Sequence, residues 1–189
     1  MSSKRYFYID ETSQDTKGRL FVVAIIISEH DADDLRLTCQ EIEALSRKGT
    51  RKWMRTSPDR RLAYIQLALQ KPLLAGRLTF GYYTGRGAYA DFTCNAIALA
   101  VSRTTKDGDN VVLIDGLPKE QWMDYGRRIR RWGARIERVR GTRRDENDAL
   151  IHLADALCGF VRSAYEGEPE LKALFELALR QEILVDLRG

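Results

Sequence analysis

Four aspartates stand where carboxylates can converge. Asp10 directly follows the strand-like stretch Arg5–Ile9, Asp115 ends the apolar run Val111–Ile114, and Asp148 and Asp155 lie on a long helical pattern near the C-terminal end. Hard divalent cations take oxygen ligands. Metal-assisted phosphodiester cleavage sets several carboxylates around ions about 3.5–4 Å apart, so that water is activated and the leaving oxygen stabilised. Asp10, Asp115, Asp148 and Asp155 are therefore candidate metal ligands and catalytic residues, with Glu11 beside them to orient water or a ligand. A zinc site is poorly supplied: there are two histidines, and Cys39, Cys94 and Cys158 are widely spaced with no Cys-x-x-Cys. An all-oxygen donor set points to Mg2+ or Mn2+.

Each acid also has an ordinary structural use. Asp10 could form a turn, Asp115 could cap the helix that begins near Pro118, and Asp148 could sit in the first turn of its helix. Asp155 differs, because it falls mid-helix among alanines and leucines, where a carboxylate needs water or a cation. Asp148, His152, Asp155 and Gly159 share one helical face. Seven residues rise roughly 10 Å along a helix, which keeps Asp148 and Asp155 from readily sharing one ion. His152 on that face reads first as a satisfied polar residue.

The formal charge of +4 conceals two concentrated blocks. Arg127 to Arg144 holds nine arginines against the single acid Glu137, and Arg47 to Arg61 holds seven basic residues against Asp59. Concentrated arginine suits phosphate contacts and steering of a polyanion, whereas an ordinary solvated surface intersperses both signs. Nucleic acid, DNA or RNA, is the expected partner, with Lys52, Arg127, Arg128, Arg130, Arg131, Arg143 and Arg144 as phosphate contacts. Lys48 to Arg61 would flank the substrate.

These residues need elements to carry them. Arg5–Ile9 and Leu20–Ile27 read as a hairpin entering a sheet, Leu78–Thr84 and Val111–Asp115 as further strands, and Arg135–Val139 as an edge strand. Helical periodicity covers a segment opened by Asp31, another from Pro58 to before Pro72, Ala88–Val101, Trp122–Trp132, about Glu146–Tyr165, and a last one from Pro169. Strands alternating with helices predict an α/β fold, a mixed sheet covered by helices. The 189 residues suit a single domain, 1–189, with 166–189 as a C-terminal helical appendage. The run Leu20–Ile27 is too short to cross a bilayer and the polar start lacks a secretory hydrophobic core, so a cytoplasmic protein without membrane partners is expected. Neither a Gly-x-Ser-x-Gly elbow nor a phosphate-binding Gly-x-x-x-x-Gly-Lys-Ser/Thr loop occurs.

Tyr8-Ile9-Asp10-Glu11-Thr12 and Leu153-Ala154-Asp155-Ala156-Leu157-Cys158-Gly159 together resemble the domain-of-unknown-function 3800 family, which is grouped with ribonuclease-H-like nucleases. Members begin Tyr-Ile-Asp-Glu-Ser-Gly, carry a middle strand ending in Asp, and finish with a helix reading Gln-Leu-Ala-Asp-x-x-x-Gly; Asp10, Asp115 and Asp155 match. Thr12 and Ser13 depart from the Ser-Gly, and His152 from the Gln. Asp145-x-x-Asp148-Ala149-Leu150 is similar to the final metal-binding helix of Holliday-junction resolvases, which raises Asp148 as a ligand and implies a homodimer. The resemblance implies a ribonuclease-H-like mixed sheet and a metal-dependent nuclease. Two other functions fit the same residues: a catalytically inactive nucleic-acid-binding or adaptor protein, and a metal-dependent phosphate-ester hydrolase acting on small substrates.

Overall fold

The computed structural model describes residues 4–12, 20–85, 88–104, 109–143 and 147–189; Arg144 and Asp145 lie outside the described residues. The strands are β1 (Lys4–Glu11), β2 (Phe21–Ser28), β3 (Leu78–Tyr83), β4 (Asp109–Asp115), β5 (Arg138–Thr142) and β6 (Leu184–Asp186). The helices are α1 (Ala32–Leu45), α2 (Pro58–Leu69), α3 (Tyr89–Arg103), α4 (Trp122–Arg131), α5 (Ala149–Tyr165) and α6 (Pro169–Arg180). The sheet order is β5-β4-β1-β2-β3-β6. β2 runs antiparallel to β1 and β3, while the β1–β4, β4–β5 and β3–β6 pairs are parallel.

Side chains alternate across a strand, and this sheet buries both faces. Tyr8, Val22, Ala24 and Phe80 pack with α1, α2, α5 and α6, whereas Phe7, Ile9, Val23, Ile25 and Val112 pack with α3 and α4. The near-continuous apolar sequence of β2 follows from that double burial. The same parity sends Asp10 to the α5 face and Glu11 to the α3 face.

Two strands differ from the sequence reading. β5 begins at Arg138 rather than Arg135, because Ala134 and Ile136 anchor the chain in the α4-side core before pairing with β4 starts at Val111–Arg138. Residues 166–189, expected as a helical appendage, are built into the core. α6 buries Leu171, Phe175 and Ala178 beside α5, and the three-residue β6, too short for any periodicity to register, extends the sheet along β3. No helix among the described residues is long and apolar enough to cross a membrane.

Candidate functional site

β1 and β4 are parallel neighbours, in register through Ile9–Ile114. One step further, both strands present a carboxylate on the α5 face, Asp10 and Asp115. Crevices beyond the carboxyl ends of parallel strands are the usual place for ligands in such sheets. Asp155 reaches the same point from the middle of α5. The three acids surround one cation: Lys52 Nζ lies 2.6 Å from Asp115 Oδ2, 3.6 Å from Asp10 Oδ2 and 3.6 Å from Asp155 Oδ1.

The other carboxylate oxygens accept hydrogen bonds that fix them. Asp10 Oδ1 accepts from the Glu11 amide at 2.8 Å, Asp155 Oδ2 from the Trp53 amide at 2.7 Å, and Asp115 Oδ1 has the Thr142 hydroxyl at 3.4 Å. Burial, reinforced by Asp155 and Asp115 and opposed by Lys52, pushes the Asp10 carboxyl up to about 8. Burial alone would lower the Lys52 ammonium, but Asp10, the hydrogen bond to Asp115, and Asp155 hold it above its ordinary value. Three carboxylates against one ammonium leave the site an excess of negative charge. Among the described residues no three acidic, histidine or cysteine side chains are drawn together into a ready metal cage. The ammonium of Lys52 takes the central position between the acids.

A short helical turn, Trp53–Arg55, holds Lys52 in place. Trp53 is buried against α5 directly over Gly159, where even a Cβ would collide with the indole. Arg61 stacks on the Trp53 ring at 5.2 Å and its Nε donates to the Trp53 carbonyl at 2.9 Å. Beneath the strand end, Cys158 Sγ lies 3.1 Å from the Asp10 carbonyl.

Two cavities open on this cluster and share Lys52, and a third adjoins the second at Thr142 and Asp148. One, of about 480 Å3, runs from Asp10 and Asp155 past Trp53, Met54 and Arg61 to Arg162. A second, about 570 Å3, continues from Lys52 and Asp115 past Arg55, Thr142 and Arg143 to Asp148 and His152. The third carries on from Thr142 and Asp148 along Arg138 and Arg140. Together they form a groove edged by arginines with the aspartates in its course.

No family model matches the chain, and no curated protein sequence matches it. Among solved structures, ribonuclease H2 from Pyrococcus horikoshii OT3 is similar, with a TM-score of 0.54 at 9% identity over 94% of this chain and 88% of that one. The PCNA:RNase HII complex from Archaeoglobus fulgidus also aligns, with a TM-score of 0.44 at 13% identity over 94% and 89%. The fold is ribonuclease-H-like.

Within this ribonuclease-H-like sheet the candidate residues separate. Asp10, Asp115 and Asp155 meet at Lys52. Asp148 does not: it is the N-cap of α5, accepting from the Leu150 amide at 2.9 Å, and Arg36 holds it with Nε at 3.3 Å from both oxygens and Nη2 at 3.1 Å from Oδ2. Arg36 also donates to the Tyr8 hydroxyl at 2.7 Å. Glu11 points to the opposite face, where Thr93 Oγ1 donates to it and burial raises its carboxyl above the ordinary range. Arg127, Arg128, Arg130 and Arg131 ride on α4, on the far side of the sheet from the aspartates. There Arg128 pairs with Asp124 at 2.6 Å and Asp91 at 2.8 Å, and Arg130 Nη2 donates to the Ile136 carbonyl at 3.2 Å. Arg143 stays on the site side, as do Arg138 and Arg140. Lys48, expected beside a substrate, is 1% exposed, with its ammonium over the Tyr64 ring at 4.9 Å. His152 is satisfied through Nδ1 by Glu43 at 2.8 Å.

Arg36 was not singled out by the sequence, and Trp53 and Arg61 were read only as members of an exposed basic stretch, whereas Trp53 is buried. One signal pointed to the burial of Trp53: an isolated glycine inside a helix marks a close approach, and Gly159 faces the aromatic that fixes Lys52.

Proposed function

We propose that this protein is a metal-dependent nuclease that hydrolyses nucleic acid phosphodiesters with Mg2+ or Mn2+ held by Asp10, Asp115 and Asp155. The observation that carries the reading is the convergence of three carboxylates, from the ends of two parallel strands and the middle of a helix, on a single positive charge. The donor set fits a hard divalent cation, since every inward atom is a carboxylate oxygen and the acids outnumber the ammonium. The resemblance of the Asp10 and Asp155 motifs to the domain-of-unknown-function 3800 family supports the same three residues. When bound, a divalent cation supplies a more acidic water and positive charge for the leaving oxygen.

The protein's own groups do the rest. The Glu11 and Trp53 amides orient two of the carboxylates, and Cys158 supports the strand end that presents Asp10. Arg143, Arg138 and Arg140 on one side and Arg61 and Arg162 on the other edge a groove that suits a phosphate backbone more than a mononucleotide. Asp148 acts as the helix cap and Arg36 partner in this reading, and Glu11 as a half-buried acid on the other face of the sheet.

The test is cleavage of labelled single-stranded, duplex and branched DNA and RNA with Mg2+, Mn2+ or chelator, beside Asp10→Asn. Products from the wild type with metal, and none from the variant at equal binding, support the nuclease. Binding without products under every ion moves the assignment to a nucleic-acid-binding or adaptor protein. Turnover of small phosphate esters with no affinity for polymer favours the small-substrate hydrolase.

A further inference from the structure

We infer that the centre acts where a nucleotide is unpaired: the base beside the scissile phosphate leaves the stack and enters the cavity on the Asp155 side, against Met54. This rests on the nuclease reading above and names the class of substrate it takes. The two cavities that share Lys52 differ in their walls. On the Asp115 side Arg55, Thr142 and Arg143 present polar groups suited to phosphates. On the Asp155 side Trp53, Met54, Cys158 and Gly159 form an apolar wall, and the volume of about 480 Å3 lies in the range of sites that enclose a small organic group.

Charge on that wall favours a base over a continuing backbone. Arg61 and Arg162 supply charge for a flanking phosphate, but Glu166, paired with Arg162 at 2.7 Å, and Glu168 line the same cavity and oppose a run of phosphates. A base is uncharged, and its amino groups donate to carboxylates.

Met54 is the side chain placed to separate that base from its neighbours. Trp53 is 3% exposed, its ring taken by Gly159 and Arg61, whereas Met54 next to it is 74% exposed at the cavity. The turn that carries Met54 is held on both sides: the Trp53 amide donates to Asp155, Arg61 donates to the Trp53 carbonyl, and the Thr56 hydroxyl donates to the Lys52 carbonyl at 3.0 Å. A fixed apolar side chain two residues from the lysine that meets the acids has the form of a wedge between bases. Methionine is polarizable and adaptable, so the contact reads no particular base. Extruding a base is cheapest where it is already unpaired, which sets the preference.

The experiment uses three duplexes of one sequence, made in DNA and in RNA: continuous, with one unpaired 2-aminopurine, and with an unpaired abasic residue at the same place. Affinity is read by fluorescence anisotropy for Asp10→Asn with Mg2+, alone and combined with Met54→Ala or Met54→Leu, with circular dichroism confirming each fold. The unpaired base should bind about tenfold more tightly than either other duplex, and its emission should change about twofold on binding. Met54→Ala should lose most of that preference and Met54→Leu should keep it. Equal affinity for the three duplexes, a preference that the abasic duplex shares, or one that survives Met54→Ala would overturn the inference, and cleavage by the wild type would still uphold the nuclease. A preference that depends on both the base and Met54, in a protein that cleaves none of the duplexes, would keep the base cavity and remove the nuclease reading. Binding to none of the three would remove both.

Discussion

The two faces of the sheet receive charge in opposite ways. On the α5 face, acids from β1, β4 and α5 crowd together with one lysine among them, next to an open groove. On the α3 and α4 face, the arginine-rich helix meets acids one by one at the surface, as Arg128 does with Asp124 and Asp91, and half-buried Glu11 accepts from Thr93. Balanced surface pairs are worth little and do no chemistry. Unbalanced like charges held at partial burial are costly, and such sites mark function more often than structure does. A density of charge in the sequence is therefore a poorer guide to the site than an imbalance of charge in the fold.

The strongest way to break this comparison uses neighbours on one strand. Asp10→Asn and Glu11→Gln alter adjacent residues that face opposite sides of the sheet. Loss of a metal-holding carboxylate removes several kcal/mol of transition-state stabilisation, so Asp10→Asn should lower cleavage by about 1000-fold or more. Glu11→Gln should stay within about threefold, because its partner is a buried hydroxyl and not the centre. Equal losses from the two, measured as kcat/KM, would erase the distinction between the faces.

Next in size is Gly159→Ala. The new Cβ meets the Trp53 indole in a packed position, and overpacking of this kind costs about 1–3 kcal/mol. Denaturant unfolding should show that loss. The displaced turn should also carry the Trp53 amide away from Asp155 and loosen the carboxylate it orients, so metal binding falls too. A same-size substitution behind the sheet that costs equal stability should leave metal binding intact.

Much of this site was legible in the sequence. Strand periodicity placed Asp10 and Asp115 at strand ends, and an acid among alanines and leucines set Asp155 apart, because burial needs and helical spacing are local properties. What was not legible came from parity and partnership. Counting alternate residues from Tyr8 would have sent Glu11 to the other face, but which face held the centre was decided by where α5 packed. The nine arginines of 127–144 read as one patch in sequence, yet α4 carries Arg127, Arg128, Arg130 and Arg131 to one side of the sheet and β5 carries Arg138 and Arg140 to the other. Lys48 sat in the basic block but folded beneath Tyr64, four residues from the lysine that meets the acids.

That division of the arginines sets up a smaller effect. Arg140→Gln with Arg143→Gln should weaken binding of a labelled oligonucleotide by about tenfold. The slope of log affinity on log salt should drop by nearly one for each phosphate that is no longer neutralised. Arg127→Gln with Arg131→Gln removes the same formal charge from the far face, and affinity should change by no more than about twofold at moderate salt, where charges a Debye length away are screened. If both pairs weaken binding alike, net charge and not the groove governs affinity.

The finest comparison lies within α5, between Asp148 and Asp155. Asparagine caps a helix as well as aspartate does, so Asp148→Asn keeps the bond to the Leu150 amide and removes only the charge facing Arg36; Asp148→Ala removes both, at about 1 kcal/mol of stability for the cap. Neither should move metal-dependent cleavage more than a few-fold, whereas Asp155→Asn should abolish it, because Asp155 and not Asp148 turns an oxygen toward Lys52. A resolvase-like arrangement makes the reverse forecast, with the Asp148 end of the helix serving the metal. The deciding readout is the Mn2+ concentration for half-maximal cleavage in Asp148→Asn. A value unchanged from the wild type assigns Asp148 to the scaffold, and a rise of tenfold or more would bring it into the centre and require Arg36 to let it go.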